Sequence, residues 1–247
     1  MLAHRRSRSR ARRRTCPVSR RALVVLGLFL AVLLLTACDD APDVPLDGVD
    51  PVLLLSAAAE RTEQATSFHF ALEHEGGTTE IVRGVQMTSA EGDVVGTDRL
   101  RASIEGSVGP LNLKLEIVIL PDESWITNPL TQRWEREEIS VDDLFDPAVG
   151  VTALMRAVSE PRLTGADSID GVAVYRVAAS VDSGDVQMFG SARAGRELVA
   201  TAWIGVDDLL VYRIELQGPL NSGEPDDLIR RITFSDFDVA VEIVAPR

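Results

Sequence analysis

Cysteine and histidine, whose side chains serve as nucleophiles, general bases and transition-metal ligands, are rare in this chain. The 247 residues include two cysteines, Cys16 and Cys38, and three histidines. Cys38 directly follows an apolar run and the small residues Thr36 and Ala37. A thiolate is a good nucleophile, so a cysteine at the end of an export signal can accept a covalent lipid. The sequence therefore predicts lipidation at Cys38.

The segment before Cys38 has the layout of a secretory signal. Nine arginines lie between residues 5 and 21, and residues 22–35 form an apolar run of 14. A basic start, a short apolar stretch and small residues before the cut are typical of such signals, and 14 residues are too few for a comfortable membrane helix. Residues 35–38, Leu-Thr-Ala-Cys, resemble the bacterial lipobox, in which the cysteine receives a diacylglycerol and the chain is cut before it. We therefore expect residues 1–37 to be removed.

Two alternatives stay open for this segment. It could be a signal anchor that carries an incidental cysteine. The export route is also open, because Ser19-Arg20-Arg21 resembles a twin-arginine signal in a region where arginine is abundant throughout.

The charge of the mature chain excludes some partners. The removed segment takes nine basic and no acidic residues, which leaves 16 basic against 38 acidic residues and a net charge of −22. Nucleic acid and anionic lipid surfaces both need basic contacts. Membrane attachment is therefore expected through acyl chains on Cys38, and a nucleic-acid partner is not.

The remaining chemistry-bearing residues do not form a catalytic or metal pattern. His69 and His74 are five residues apart on one predicted strand, so their side chains point to opposite faces. Nucleophile-elbow and phosphate-loop motifs do not occur in the sequence. We expect neither an enzyme, nor a metal site, nor a cofactor.

The mature chain reads as an acidic tether followed by one domain. Residues 38–50 are acidic and contain Pro42 and Pro45, which favours an extended segment. Asp50-Pro51 opens a predicted helix over 52–65, and a second is predicted over 148–159. Residues 51–247 are long enough for a single domain with its own core.

Between and after the helices, the spacing of the apolar residues changes from the 3.6-residue repeat of a helix to the two-residue repeat of a strand. Alternation predicts strands at 68–73, 81–88, 98–107, 111–120, 124–127, 132–137, 162–167, 172–181, 197–205, 209–217 and 228–237, with an edge strand at 241–244. A sheet with one solvent-exposed face and one buried (dry) face is typical of antiparallel pairing. The predicted fold class is α+β, a large curved antiparallel sheet with the helices packed on its dry face.

Several segments together resemble the LppX/LprAFG family of bacterial lipoproteins. They are Phe145-Asp146-Pro147, the stretch from Leu154 to Pro161, Gly165 to Gly171, Val174-Tyr175-Arg176, Trp203-Ile204 with residues 209–214, and the ending from Phe234 to Pro246. The resemblance covers nearly all of residues 51–246. It implies an unclosed, half-barrel-like sheet similar to LolA and LolB, and a role in binding the acyl chains of a lipid or glycolipid.

The strongest apolar stripes predict where such chains would lie. The helical stripe consists of Val151, Leu154, Met155 and Val158, and the strand stripe consists of Leu113, Leu115, Ile117 and Ile119. We expect the two stripes to line opposite walls of one pocket. Only 11 aromatic residues remain in the 210-residue mature chain, so few bulky side chains are available to fill a wide concave sheet.

The predicted function is therefore a lipid carrier or presenter of the cell envelope. The chain would be exported and held on the outer face of the bacterial cell membrane by the lipid on Cys38, with an envelope transporter as a further partner. The alternative is an anchored interaction or assembly module whose dry face is a solid core.

Overall fold

Strands form in this chain where apolar and polar residues alternate, because successive side chains of a strand point to opposite faces of a sheet. The computed structural model describes residues 44–81, 84–138, 147–186 and 194–247. The predicted signal segment 1–37, the lipidation residue Cys38, the first part of the tether and the loop 140–146 lie outside these ranges.

Within the described ranges twelve strands form one antiparallel sheet. The strands are β1 (Ser67–Glu75), β2 (Thr79–Glu80), β3 (Gln86–Val95), β4 (Arg99–Val108), β5 (Leu111–Leu120), β6 (Glu123–Thr127), β7 (Trp134–Arg136), β8 (Ser159–Ile169), β9 (Val172–Asp182), β10 (Glu197–Gly205), β11 (Val211–Gln217) and β12 (Ile229–Ser235). The predicted α+β class is confirmed.

The strand order is β7-β6-β5-β4-β3-β1-β12-β11-β10-β9-β8, with the short β2 paired beside β3. Strands β7 and β8 lie at opposite ends of this order, so the sheet is unclosed and half-barrel-like. Each half is a meander of neighbouring hairpins. The halves meet where β1 pairs with β12, from His69 opposite Ser235 to Glu75 opposite Ile229.

The first helix, α1 (Pro51–Glu63), begins where the sequence predicts. The Asp50 carboxylate accepts hydrogen bonds from the backbone N–H groups of Val52 and Leu53, at 2.8 and 3.3 Å. Pro51 does not destabilise the helix at this position, because the first helical N–H groups have no partner within the helix. The side of α1 that the sequence left unassigned is now defined: its buried residues are Leu54, Leu55, Ala58, Ala59 and Thr62.

The second helix, α2 (Pro147–Ala157), ends two residues earlier than predicted. Strand β8 begins at Ser159, and Glu160 has a positive φ of 51°. Glu160 therefore lies in an irregularity at the start of β8, next to Pro161, which cannot continue a helix. Residues Val151, Leu154 and Met155 of α2 are buried in the same hydrophobic cluster as the buried face of α1 and one face of the sheet. That sheet face, covered by both helices, is called the inner face.

Strand β3 differs most from prediction, since it covers residues 86–95 instead of 81–88. The sequence of its second half contains Gly92, a residue that is usually unfavourable within a strand. A Cβ atom at position 92 would lie 2.3 Å from the carbonyl oxygen of Arg101 on β4. Close approach of the two strands therefore requires the glycine.

The predicted edge strand at 241–244 does not form. The C-terminal segment packs instead on the outer face of the sheet, where Ile243 joins Val118 and Trp125 in a second, smaller cluster. Burial of Val241 and Ile243 against these side chains accounts for the alternation that suggested a strand.

Candidate functional site

The eight apolar residues predicted to contact lipid all lie in or against the inner-face cluster. Its buried members include Leu115, Ile117 and Ile119 of β5 and Val151, Leu154 and Met155 of α2, while the half-buried Leu113 and Val158 pack against it. Both stripes are therefore on the covered side of the sheet. Their contact with lipid remains a prediction.

A small apolar space, the α2 void, lies between α2 and the sheet. Its volume is about 20 Å³. It is lined by Leu55, Leu154, Met155, Val158, Val177, Ala179, Ala200, Thr201, Ala202 and Ile214. A space of this size holds about one water molecule. The void as it stands is too small for an acyl chain.

The wall opposite α2 is formed by β9, β10 and β11, and none of the described lining residues belongs to β5. The strand order explains this difference from the expectation. Strand β5 lies in one half of the sheet, and β9 to β11 lie in the other. The stripe on α2 therefore packs over the second half.

Small side chains make the floor of the α2 void. Ala200 of β10 lies directly opposite Ala179 of β9, and Ala202 follows on the same face. These alanines were not predicted to lie at the site, because the predicted stripes consist of large apolar side chains. The available signal was the alternation of Leu198, Ala200 and Ala202 with exposed or half-buried residues, which places two alanines on the inner face.

A much larger space, the end cleft, opens where α1 ends. It lies between the C-terminal end of α1, one side of α2 and the turn from β3 to β4, and its volume is about 770 Å³. Apolar lining comes from Ala65, Phe68, Val95 and Ala153, and polar lining includes Thr62, Thr66, Thr152 and Arg99. Ligand pockets generally measure about 300 to 1,000 Å³. The end cleft is therefore large enough for part of an acyl chain.

Phe68 connects the end cleft to the hydrophobic core. Its side chain is buried on the inner face, and its ring makes an edge-on contact with Phe234, with ring centroids 5.7 Å apart. Phe68 thus packs against the core on one side and lines the cleft on the other. A chain that enters the cleft would meet the apolar inner face at this residue.

An ion pair joins the two helices at the cleft. The Arg156 guanidinium of α2 lies 2.6 Å from the Glu63 carboxylate of α1, with side-chain exposures of 52% and 44%. The hydrogen bond from Arg156 lowers the pKa of Glu63, and the same bond raises the pKa of Arg156. Because both groups are exposed, water screens the pair and it contributes little to stability. The link between the helices is therefore easily opened.

The histidines occupy separate environments, as their spacing predicts. His69 Nδ1 is 2.8 Å from Asp93 Oδ1, whereas His74 contacts the Thr88 carbonyl and the Thr79 hydroxyl. In the part of the chain that the structure describes, no group of three or more His, Cys, Asp or Glu residues could hold a metal ion. Over the same residues, no helix is both long and apolar enough to cross a membrane.

Comparison with known proteins shows similarity to bacterial lipoproteins. The model of the LppX/LprAFG lipoprotein family matches residues 50–243. The chain is 28% identical over 204 residues to LppX of Mycobacterium tuberculosis H37Rv, a proposed phthiocerol dimycocerosate transporter. That match covers 77% of this chain and 84% of LppX, and the same values hold for LppX of Mycobacterium bovis.

Solved structures agree on the fold. The crystal structure of LprF from Mycobacterium bovis has a TM-score of 0.60 at 17% identity, covering 79% of this chain and 96% of LprF. The crystal structure of LppX from Mycobacterium tuberculosis has a TM-score of 0.58 at 22% identity, covering 79% of this chain and all of LppX. With the family model matched over most of its length, the chain belongs to the LppX/LprAFG family of lipoproteins.

Proposed function

We propose that this protein is a non-enzymatic envelope lipoprotein that binds the acyl chains of a lipid or glycolipid on the inner face of its sheet and carries or presents them. The observation that carries the proposal is the end cleft of about 770 Å³, which borders on the inner-face cluster through Phe68. The family and the proposed lipid-transport role of LppX support the same ligand class.

Acyl chains would enter at the end cleft and lie beneath α2. Since the α2 void measures only about 20 Å³, α2 has to move away from the alanine floor when a chain enters. Each methylene that leaves water contributes about 0.8 kcal/mol, so a few methylenes outweigh the loss of one exposed ion pair between the helices. In this proposal the closed arrangement is the lipid-free state.

Anchoring would follow from the lipobox. With residues 1–37 removed, a diacylglycerol on Cys38 would hold the protein on the outer face of the bacterial cell membrane, because two acyl chains suffice for stable attachment. Residues 38–50 would tether residues 51–247, the single lipid-binding domain, near that surface. A transporter of the envelope would be the partner that supplies or receives the lipid.

One observation favours a second candidate function. Over the described residues the inner face forms one buried hydrophobic cluster and the α2 void within it is small, as expected for an anchored interaction or assembly module with a solid core. In that case the end cleft would be a surface feature without a lipid.

Native mass spectrometry separates the two candidates. The chain from Asp39 onward would be produced in a lipid-rich bacterial host and purified without detergent. Co-purified lipid is expected for the carrier, and its amount should fall when Ala153→Trp fills the end cleft. The matched control is Leu130→Trp, because Leu130 is 76% exposed in the β6–β7 loop. A lipid-free mass for the unmodified chain would refute the carrier and favour the module.

A further inference from the structure

A polar pocket lies away from the end cleft, at the other end of the central strands. The end cleft touches Phe68 at the start of β1 and Val95 at the end of β3. The polar pocket is bounded by Gly77, just after β1, by Gln86 at the start of β3, and by the loop 221–225 before β12. Its volume is about 550 Å³, which is within the range of ligand pockets.

One wall of the pocket is a loop held by a buried ion pair. Arg230 of β12 is fully buried, and its Nη2 donates to Glu224 Oε2 at 2.5 Å. The same Glu224 oxygen accepts from the backbone N–H groups of Leu220 and Asn221, at 2.7 and 3.3 Å. Two further groups of Arg230 donate to Thr79 Oγ1 and to the Gly218 carbonyl, at 2.7 and 2.9 Å. The loop is therefore preorganised from within.

The second carboxylate oxygen of Glu224 is the unusual atom. Glu224 is one of the residues that line the pocket, its side chain is only 9% exposed, and its buried Oε1 has no hydrogen-bond donor in the described part of the chain. Buried polar atoms are nearly always hydrogen-bonded, and leaving one without a partner is costly. A donor that reached Oε1 would meet little competition from bulk water.

The other wall presents a hydroxyl, an amide and a carboxylate, from Thr78, Gln86 and Glu80. Thr78 Oγ1 donates to Gln86 Oε1 at 3.0 Å, and Gln86 Nε2 donates to Glu80 Oε2 at 3.3 Å. Asn221 and Ser222 add an amide and a hydroxyl from the loop. The described lining includes no aromatic or large aliphatic side chain, so an acyl chain does not suit this space.

These groups define the class of ligand. The charge of Glu224 is balanced by the buried Arg230. A hydroxyl group both donates and accepts, which matches a wall of carboxylate, amide and hydroxyl groups. We infer that this pocket binds a polyhydroxyl group, either a free sugar or polyol or the sugar headgroup of a lipid. The inference is independent of acyl-chain binding at the end cleft.

A pocket-filling variant tests the site without removing its buried charges. An added Cβ at Gly223 would have no atom within 4 Å, and Gly223 lines the pocket, so a side chain can start there and Gly223→Trp adds bulk at the pocket. The matched control is Ser56→Trp on the exposed side of α1. A second site variant, Glu224→Gln, alters the carboxylate itself, and its folding is checked by circular dichroism.

Binding is measured on the full exported protein in nanodiscs by saturation-transfer NMR. The free probes are myo-inositol, methyl α-D-mannoside and trehalose, and the lipid-borne probe is monogalactosyl diacylglycerol in the disc. We expect at least one probe to bind, with affinity reduced about tenfold or more in Gly223→Trp and unchanged in Ser56→Trp. Binding of free probes identifies a soluble polyol as the ligand, and binding of the galactolipid alone identifies a headgroup.

Two results would overturn the inference. One is the absence of binding for all four probes, and the other is binding that Gly223→Trp leaves unchanged. Because Gly223 does not line the end cleft, lipid detected by native mass spectrometry should be the same in Gly223→Trp and the unmodified chain. Polyol binding at the polar pocket and acyl-chain binding at the end cleft can therefore be refuted independently of each other.

Discussion

Two adjacent arginines on β12 allow a stability prediction with an internal control. Arg230 is fully buried and pairs with Glu224, whereas Arg231 is on the opposite face, 34% exposed, and pairs with Glu215 at 2.6 Å. Both residues have the same type of partner and the same backbone environment. Arg230→Ala and Arg231→Ala therefore differ mainly in the burial of the charges they leave behind.

The structure gives the magnitudes. Arg230→Ala leaves Glu224 as a buried charge without its partner, and the loss of one member of a buried pair costs about 3–5 kcal/mol. It also removes donors to Thr79 and to the Gly218 carbonyl. Arg231→Ala breaks a partly exposed pair that water can still reach and screen, which costs about 0–1 kcal/mol. We expect Arg230→Ala to be less stable than Arg231→Ala by about 3 kcal/mol.

The measurement is urea unfolding of the chain from Asp39 onward, followed by tryptophan fluorescence and circular dichroism. With an m-value of about 2 kcal/mol per molar urea, a difference of about 3 kcal/mol separates the two midpoints by about 1.5 M. The apolar double replacement Glu224→Leu/Arg230→Met should recover much of the loss, because no charge stays buried. Equal midpoints for the two alanine variants would refute the assignment of Arg230 as a buried structural charge.

Three further predictions concern the lipid site, a buried histidine and the anchor. Leu154→Trp should lose co-purified lipid, and it should be destabilised by about 1–3 kcal/mol because the α2 void of about 20 Å³ cannot hold the added ring unless α2 moves; the same destabilisation with lipid retained would instead mean a solid core beneath α2. Burial lowers the pKa of His74, so the unfolded chain takes up the proton first and the free energy of unfolding should fall as the pH drops from 7.5 to 5.5. His74→Gln should reduce that slope in urea titrations, and an identical slope would contradict the prediction. Cys38→Ala should abolish incorporation of labelled palmitate, and unchanged labelling would exclude lipidation at this cysteine.

Alternation predicted most strands because it reports directly which side chains share a face. Strand β5 forms at Leu111–Leu120, as its pattern predicts, and β10 at Glu197–Gly205 is equally clear. The second half of β3 was missed because its inner positions hold small residues, Ala90 and Gly92, whose presence depends on the neighbouring strand. The alternation of apolar and polar residues therefore predicts well which side chains share a face of the sheet. It does not predict a strand where packing against the neighbouring strand requires a small side chain.

The buried charge illustrates a signal that was present in the sequence. Ile232 and Phe234 are on the inner face, and Arg230 has the same parity along β12. The alternation along β12 could have placed Arg230 on the inner face, with Ile232 and Phe234. Its partner could not be predicted, because Glu224 belongs to a loop whose conformation depends on the ion pair itself. The same limit applies to the α2 void, since alternation places Ala200 on the inner face without giving the distance to the helix.

The meeting of the two halves at β1 and β12 has a consequence for how the protein folds. Strand pairs within each half close short hairpins, but His69 pairs with Ser235, a contact that spans nearly the whole domain. Contacts between residues far apart in sequence slow folding because a long loop must be closed before they form. Each half can begin to pair as it emerges from the ribosome or the export channel, but the central junction must wait for the last strand. Until β12 arrives, β1 has an unpaired edge, so a chain truncated before residue 229 should aggregate rather than fold as a smaller sheet.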